Sequence, residues 1–409
     1  MNATIQRLIS EATRLAHDAK AQALAANPPS AGPGGTNPLH RLSAGGKSGT
    51  HSMNNPAFQN SMAHATRLMQ SGDLQAATAA IQAALGGAAM PAGAANDSNV
   101  IDVEAHEVGG RTAPAQKPSE PTVKPGPTGQ FISGSHTEGT AGTREYKLFI
   151  PPASFTETLP LVVMLHGCTQ NPDDFAAGTG MNDAALKRGF YVLYPAQTQH
   201  ANSSRCWNWF KHNHQKRGRG EPALLAGMTK DVMARYNIDP KRVYVAGLSA
   251  GGAMAAILGD AYPDLFAAVG VHSGLATGSA TNVQTALSVM QTGAAPGVAP
   301  TTASPPTIVF HGDKDATVNP VNGEQVLAAS AGARTPETKR AKSANGRSYT
   351  QRSYKESGGR VVAEHWAVHG AGHAWSGGSV QGSYTDATGP DASEEMMRFF
   401  LANTLPAKH

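Results

Sequence analysis

Between Val243 and Ala256 the chain has to reverse direction within about one residue, and this requirement constrains its fold more than any other stretch. Val243-Tyr244-Val245-Ala246 is a β-branched and aromatic run that ends at Gly247, and an alanine-rich run of helical character starts just after Ser249. A serine on such a strand-to-helix turn projects its hydroxyl beyond the sheet. Glycines two positions before and after it, Gly247 and Gly251, fit where the backbones crowd. The Ala250 amide then opens the new helix and points to where charge would develop on an attacked carbonyl oxygen. A bare G-x-S-x-G carries little weight in a chain with 45 glycines, but the strand-turn-helix context makes Ser249 the candidate nucleophile.

Composition is uneven along the 409 residues, and the core-forming material lies after Phe131. Residues 1–85 read as short helices and a helical hairpin with linkers. Ile5, Leu8, Ile9, Ala12 and Leu15 recur at helical spacing. A second pair of helical segments is divided by Ser71-Gly72-Asp73, and Ala65-Thr66-Arg67-Leu68 echoes Ala12-Thr13-Arg14-Leu15. One hairpin cannot bury its apolar face alone, so it is expected to dock on the rest of the chain, on a partner or on a granule. Residues 86–130 form a proline- and glycine-rich linker, and residues 131–409 form the catalytic domain.

A formal charge of +4 from scattered Lys and Arg, without a long basic block, implies no nucleic-acid partner. No stretch approaches the roughly 20 apolar residues of a membrane span. Residues 1–20 lack the apolar core of a secretory signal, so the expected location is the cytoplasm. Metal-ligand spacing, phosphate-cradling loops and dinucleotide motifs are missing from the sequence, and neither metal nor cofactor is expected.

Strands are predicted at 146–150, 161–165, 190–194, 243–246, 267–271, 307–310 and 361–368, and helices at 181–188, 222–236, 250–261, 323–331 and 391–401. Alternation of this kind implies a mostly parallel sheet covered by helices on both faces, with active residues at the carboxyl ends of the strands. The insertion at 274–305 reads as a lid or as a disordered surface loop.

An alkoxide from Ser249 requires a base, and the base requires an orienting carboxylate. Thr307-Ile308-Val309-Phe310-His311-Gly312-Asp313-Lys314-Asp315 runs from a strand into a polar turn. Asp315 is preferred as the carboxylate, and Asp313 is read as capping the turn through its own backbone. His373, on the glycine-flanked loop Gly370-Ala371-Gly372-His373, is preferred as base over His365 and His369, which sit in or at the end of a strand. The order Ser249, Asp315, His373 is the one expected of α/β-hydrolases.

Leu165-His166-Gly167-Cys168-Thr169-Gln170 supplies the other half of an oxyanion hole, with the Cys168 or Thr169 amide facing that of Ala250. His166 reads as a ring that bonds nearby backbone and holds this loop, with a second base as the competing reading. In Cys206-Trp207-Asn208-Trp209-Phe210 the aromatics either contact substrate or plug the core; Trp207, Trp209 and, after His373, Trp375 are the candidate substrate contacts. The two cysteines, Cys168 and Cys206, either pair and tie these two loops together or stay as separate thiols.

Together, His166-Gly167-Cys168-Thr169-Gln170, Cys206-Trp207-Asn208-Trp209-Phe210, Gly247-Leu248-Ser249-Ala250-Gly251-Gly252, His311-Gly312-Asp313-Lys314-Asp315 and Gly372-His373-Ala374-Trp375 resemble the polyhydroxybutyrate depolymerase family of esterases, which takes in feruloyl and acetyl-xylan type esterases. The resemblance implies an α/β-hydrolase fold and a serine esterase with Ser249 as nucleophile, Asp315 as acid and His373 as base. It also implies ester substrates such as short-chain polyhydroxyalkanoates, and an extracellular location. A serine peptidase of the same fold and a non-enzymatic adaptor role are the competing readings.

Overall fold

A continuous apolar strand cannot face water on either side, so helices must cover both faces of the sheet that holds it. The computed structural model describes residues 128–155, 157–295 and 304–406, and within them has that arrangement. The helices and hairpin expected at 1–85, and most of the linker after them, lie outside the described residues.

The principal strands are β1 (Gln130–Glu138), β2 (Gly142–Ile150), β3 (Leu159–Leu165), β4 (Tyr191–Pro195), β5 (Ile238–Leu248), β6 (Ala268–His272), β7 (Thr307–Gly312), β8 (Glu337–Lys342), β9 (Ser348–Lys355) and β10 (Val361–Val368). They form one ten-stranded sheet in the order β1-β2-β4-β3-β5-β6-β7-β10-β9-β8. From β4 to β10 every neighbouring pair is parallel, and an antiparallel hairpin closes each edge. All residues of β3, β4, β6 and β7 are buried.

Among the described residues seven α-helices accompany the sheet: α1 (Pro172–Thr179), α2 (Met181–Arg188), α3 (Gly220–Arg235), α4 (Ala250–Ala261), α5 (Val283–Thr292), α6 (Val321–Ala331) and α7 (Ala392–Leu401). The period-2 alternation of β5 divides the core between them. Val243 and Val245 pack with side chains of α3, α4, α5 and α6, whereas Tyr244 and Ala246 pack with α1, α2 and α7.

Chain direction across the sheet reverses at β3. The chain passes from β3 to β4 on one side and then to β5 on the other, so the loops that follow β3 and β5 diverge and leave a crevice between them. Those two loops carry Cys168 and Ser249.

Of the edge hairpins, β2 was expected at 146–150, whereas β1, β8 and β9 were not. β1 alternates between partly buried and exposed, and β8 is exposed at every position except Ala341, so neither has the apolar run that marks a buried strand. Glu337, Lys339, Arg340 and Lys342 on β8 make a charged edge that resists pairing with another chain. The insertion read as a lid or a disordered loop contains α5, whose Asn282–Thr285 capping box starts a helix docked on α6. The docking bonds run from Asn322 Nδ2 to Val289 O (2.9 Å) and from Asn319 N to Met290 O (2.7 Å).

Candidate active site

Ser249 lies between β5 and α4 with φ 58° and ψ −119°, a conformation side-chain-bearing residues rarely adopt and one that costs on the order of 1–3 kcal/mol. Two backbone bonds hold it there: its N–H donates to His272 O (2.8 Å), and its carbonyl accepts from Ala253 N (2.9 Å). The glycines around it leave no room for a side chain. A Cβ on Gly247 would lie 2.7 Å from Leu165 O, and one on Gly251 would overlap the same oxygen and lie 2.6 Å from His166 O. Gly251→Ala is therefore expected to cost about 2–4 kcal/mol. Chemical denaturation measures this, and an unchanged midpoint would show that the elbow can relax.

Asp315 projects from the turn after β7, with its carboxylate fully enclosed. Oδ1 accepts from Thr317 N (2.9 Å) and Val318 N (2.8 Å), and Oδ2 accepts from His373 Nδ1 (2.7 Å). His311 Nε2, which donates to Val318 O (2.9 Å), lies 3.4 Å from the same Oδ2. Burial alone would raise the pKa of this carboxyl; the bonds from His311 and His373, the charge of His373 and the Val318 amide outweigh it and hold Asp315 well below the usual carboxylate range. Asp313 does not cap its own turn. Its carboxylate reaches across to Gly370 N (2.7 Å) and His369 Nδ1 (2.9 Å), and His369 Nε2 meets Thr350 Oγ1 (2.8 Å), so the pair anchors the loop that carries His373.

Asp315 and His373 are thus joined, and Ser249 stands at the end of a strand of the same sheet. Among the described residues Ser249 Oγ forms no hydrogen bond. The link between the two halves is His272, which the sequence reading passed over. Its carbonyl holds Ser249; its ring Nε2 accepts from Ser376 N (2.9 Å) and stacks on Trp375 at 5.2 Å, close after His373. A histidine ending a buried strand adjacent to the nucleophile strand was the available signal.

The loop from His166 to Gln170, expected to supply half of an oxyanion hole, is fastened from several sides. Gly167 N–H donates to Gln170 Oε1 (2.9 Å) and Thr169 N–H to Ser204 O (2.7 Å), so of the two amides expected to face Ala250, that of Thr169 is engaged elsewhere. No described hydrogen bond uses the Cys168 N–H. His166 holds the loop. Nε2 accepts from Gln197 N (3.1 Å), which leaves Nδ1 to donate to Gly167 O (2.7 Å). Cys168 and Cys206 form a disulfide. Gln197 Nε2 donates to Cys206 O (3.0 Å), and the buried Glu221 carboxylate accepts from Asn208 N (2.7 Å), so the second cysteine sits on a braced segment. Closing a loop of this length stabilises by roughly 3–4 kcal/mol in the chain-entropy account. Cys206→Ser is expected to lower kcat about tenfold or more while leaving KM nearly unchanged, the outcome that an oxyanion role for the Cys168 amide requires. Equal kcat values for the two proteins would show that the loop needs no covalent tie.

The aromatics correct an expectation. Trp207, Trp209 and Trp375 have exposures of 0%, 5% and 1%, so their rings fill the core instead of presenting a contact surface. Two of the indole N–H groups are used internally: Trp207 donates to His166 O (3.1 Å) and Trp375 to Ser393 Oγ (3.2 Å). The aromatic that does face outward is Tyr384, 47% exposed, with its hydroxyl 3.3 Å from Thr169 Oγ1 on the loop from His166 to Gln170. Nothing in its sequence neighbourhood marked it, since contact with Thr169 spans 215 positions. A cavity of about 710 Å³ has a mixed lining that includes Glu145, Lys147, Asn171, Asp173 and Arg205.

Three buried histidines set the acid limit of the fold. Burial is the main cause that lowers His166 to about 4, His272 to about 3 and His365 to about 4. Each is neutral in the folded protein where the unfolded chain is protonated. Their contribution is complete above about pH 6.5 and is lost as pH falls from there toward 4. Tm is expected to drop steeply across that window, and a flat profile in calorimetry would contradict it.

A mainly parallel sheet covered on both faces, with a strained serine after its fifth strand, defines an α/β-hydrolase. Residues 144–331 match the family described as esterase PHB depolymerase. The chain is 32% identical over 242 residues to poly(3-hydroxyalkanoate) depolymerase C of Paucimonas lemoignei, covering 54% of this chain and 56% of that protein. It is 30% identical over 277 residues to poly(3-hydroxybutyrate) depolymerase of Ralstonia pickettii, covering 60% and 54% respectively. Feruloyl esterase B of Thermothelomyces thermophilus is 32% identical over 187 residues, covering 41% and 63%. The chain therefore spans little more than half the length of the two depolymerases. Acetyl xylan esterase from Aspergillus awamori shares the fold, with a TM-score of 0.53 at 19% identity over 66% of this chain and 99% of that one. Among the described residues no helix is long and apolar enough to cross a membrane.

Proposed function

We propose that the protein is a serine esterase that cleaves esters of short 3-hydroxyalkanoates, polymeric or oligomeric, through an acyl-enzyme. The observation that carries this reading is the 2.7 Å bond between Asp315 and His373, which follow strands of the sheet in which Ser249 is held strained at the carboxyl end of β5. With Nδ1 donating to Asp315, the His373 imidazole has Nε2 as its basic nitrogen, free to take the Ser249 proton as Oγ attacks the ester carbonyl. The Ala250 and Cys168 amides receive the oxyanion, the alcohol leaves with the proton from His373, and water activated by His373 releases the acid. Asp315 keeps the tautomer and stabilises the imidazolium.

The substrate class rests on the two depolymerase relatives. Hydrolysis of chromogenic esters from acetate to octanoate, then of 3-hydroxybutyrate oligomers, tests it. Activity highest on short acyl chains and on the oligomers is expected. Activity on peptide amides in place of esters would move the assignment to a peptidase, and silence on every ester would favour the adaptor role. The feruloyl and acetylxylan esterase relatives support a second reading, a feruloyl or acetyl-xylan type esterase, which acetylated or feruloylated xylan oligosaccharides would reveal.

Two further assignments belong to this reading. The Cys168–Cys206 bond fits an oxidising compartment, in contrast to the cytoplasmic expectation, and thiol labelling of the protein from its native source reports on it. Residues 131–409 act as the catalytic domain, with 1–85 free to contact a partner or granule. A chain starting at Thr128 should then keep its activity on soluble esters.

A further inference from the structure

Among the described residues five non-glycine positions have a clearly positive φ: Thr169 (67°), Arg205 (52°), Ser249 (58°), Ser273 (49°) and Tyr384 (53°). Each lies between the carboxyl end of a parallel strand and the next α-helix, after β3, β4, β5, β6 and β10 in turn. Strain of this kind persists only where surrounding structure enforces it, and it gathers at active sites and ligand clamps. Here it gathers on the sheet edge that carries Ser249. Tyr384 is the aromatic member of the set, and its backbone is pinned from both sides. Asp174 takes the Ser383 N–H at Oδ1 (2.9 Å) and the Ser383 hydroxyl at Oδ2 (2.6 Å), and Gln170 Nε2 donates to Ser383 O (3.1 Å). The Tyr384 carbonyl accepts from Trp375 N (2.7 Å), two residues after His373. Gln170 is buried, and its Oε1 also holds Gly167 N (2.9 Å), so one amide fastens both the 166–170 loop and the segment that carries Tyr384.

The side chain is placed as firmly as the backbone. Thr169 Oγ1 donates to Cys168 O (2.6 Å), so the hydrogen in its 3.3 Å contact with Tyr384 comes from the tyrosine hydroxyl. Tyr384 is therefore tied at its hydroxyl to the loop that carries the Cys168 amide and at its backbone to the loop that carries His373, and its ring stays half exposed between these anchors. Trp207 and Trp375, which fill the core, are enclosed; the Tyr384 ring keeps an open surface despite the strain. With the hydroxyl hydrogen already engaged, what the residue offers a ligand is the apolar body of the ring. We propose that Tyr384 determines specificity, its ring packing on the aliphatic chain of the ester beyond the reacting carbonyl, so that an extended ester is favoured over a minimal one. The assignment rests on the reading that Ser249, Asp315 and His373 hydrolyse esters.

The test compares kinetics on the chromogenic acetate and on the trimer of 3-hydroxybutyrate, in the full chain and in its Tyr384→Ala and Tyr384→Phe variants. Tyr384 is exposed, so neither replacement threatens the fold. Tyr384→Ala should lower kcat/KM for the trimer about tenfold more than for the acetate, with the difference carried by KM. Tyr384→Phe keeps the ring and drops the hydroxyl, and should hold the ratio of the two kcat/KM values within about twofold of the parent. An unchanged ratio in Tyr384→Ala, whether both activities fall or neither does, would overturn the contact. Loss of the ratio in Tyr384→Phe as well would assign the effect to the hydroxyl and overturn the ring's role. A parent that cleaves the acetate and not the trimer would overturn the preference for an extended chain while leaving the esterase reading intact. A parent silent on the acetate would overturn that reading and this inference together.

Discussion

Ser249→Ala is expected to lower kcat by about 10⁴–10⁶-fold, since without the nucleophile only substrate binding and the oxyanion amides remain. Stability should barely move. Alanine at φ 58° carries the same backbone strain as serine, and Ser249 Oγ has no hydrogen bond among the described residues to lose. Ser249→Gly separates the two effects: it should be equally inactive and about 1 kcal/mol more stable, because glycine occupies this region without penalty. Steady-state kinetics beside urea denaturation checks the pair. A Ser249→Ala protein that kept ester hydrolysis near normal would remove Ser249 from the mechanism, and a Ser249→Gly protein no more stable than the parent would mean that the strain is compensated locally.

Asp315→Asn is expected to cost about 10³–10⁴-fold in kcat together with a few kcal/mol of stability. Four N–H groups converge on the two oxygens of this carboxylate: Thr317, Val318 and His373 donate to it, and His311 lies 3.4 Å away. An asparagine keeps one acceptor oxygen and turns the other position into a donor, so N–H groups face each other in an enclosed space. Whichever way the amide is turned, either the turn loses its two backbone bonds or His373 loses the acceptor that fixes its tautomer. Kinetics at several pH values with calorimetry on the same samples measures both losses. A kcat within tenfold of the parent would mean that another group orients His373, and Asp313, which already holds the neighbouring His369, is the first to examine.

The two effects differ because strain and satisfaction differ. The Ser249 backbone is held by its surroundings, and its side chain contributes little to the fold. The Asp315 side chain is itself a structural bond, so chemistry and stability cannot be separated there.

Most of the central sheet was legible because a buried parallel strand is written as an uninterrupted apolar run, whichever strand it pairs with. The predicted helix boundaries at 181–188 and 250–261, and the strand at 361–368, coincide with α2, α4 and β10. The helix α1 was missed although Asn171 caps it and Pro172 starts it, because eight residues are too few to show a period against loop background. The edge strands β1, β8 and β9 were missed for the opposite reason, since a strand with one solvated side and many charges has no local signature beyond alternation.

At the site, the sequence by itself determined the chemistry on offer: a serine between glycines on a strand-to-helix turn, two aspartates in one turn, and histidines on the last loop. Local sterics and residue type suffice for that much. Tertiary structure alone decided how those groups are spent. Only the packed loops show that Asp313 binds His369 while Asp315 binds His373, that the Thr169 amide is engaged by Ser204, that Cys168 and Cys206 are bonded, and that the tryptophans are enclosed while Tyr384 faces outward. The physical reason is that a hydrogen bond or a buried ring depends on where two remote segments meet. That meeting is set by strand order and loop path, which no local pattern of residues encodes.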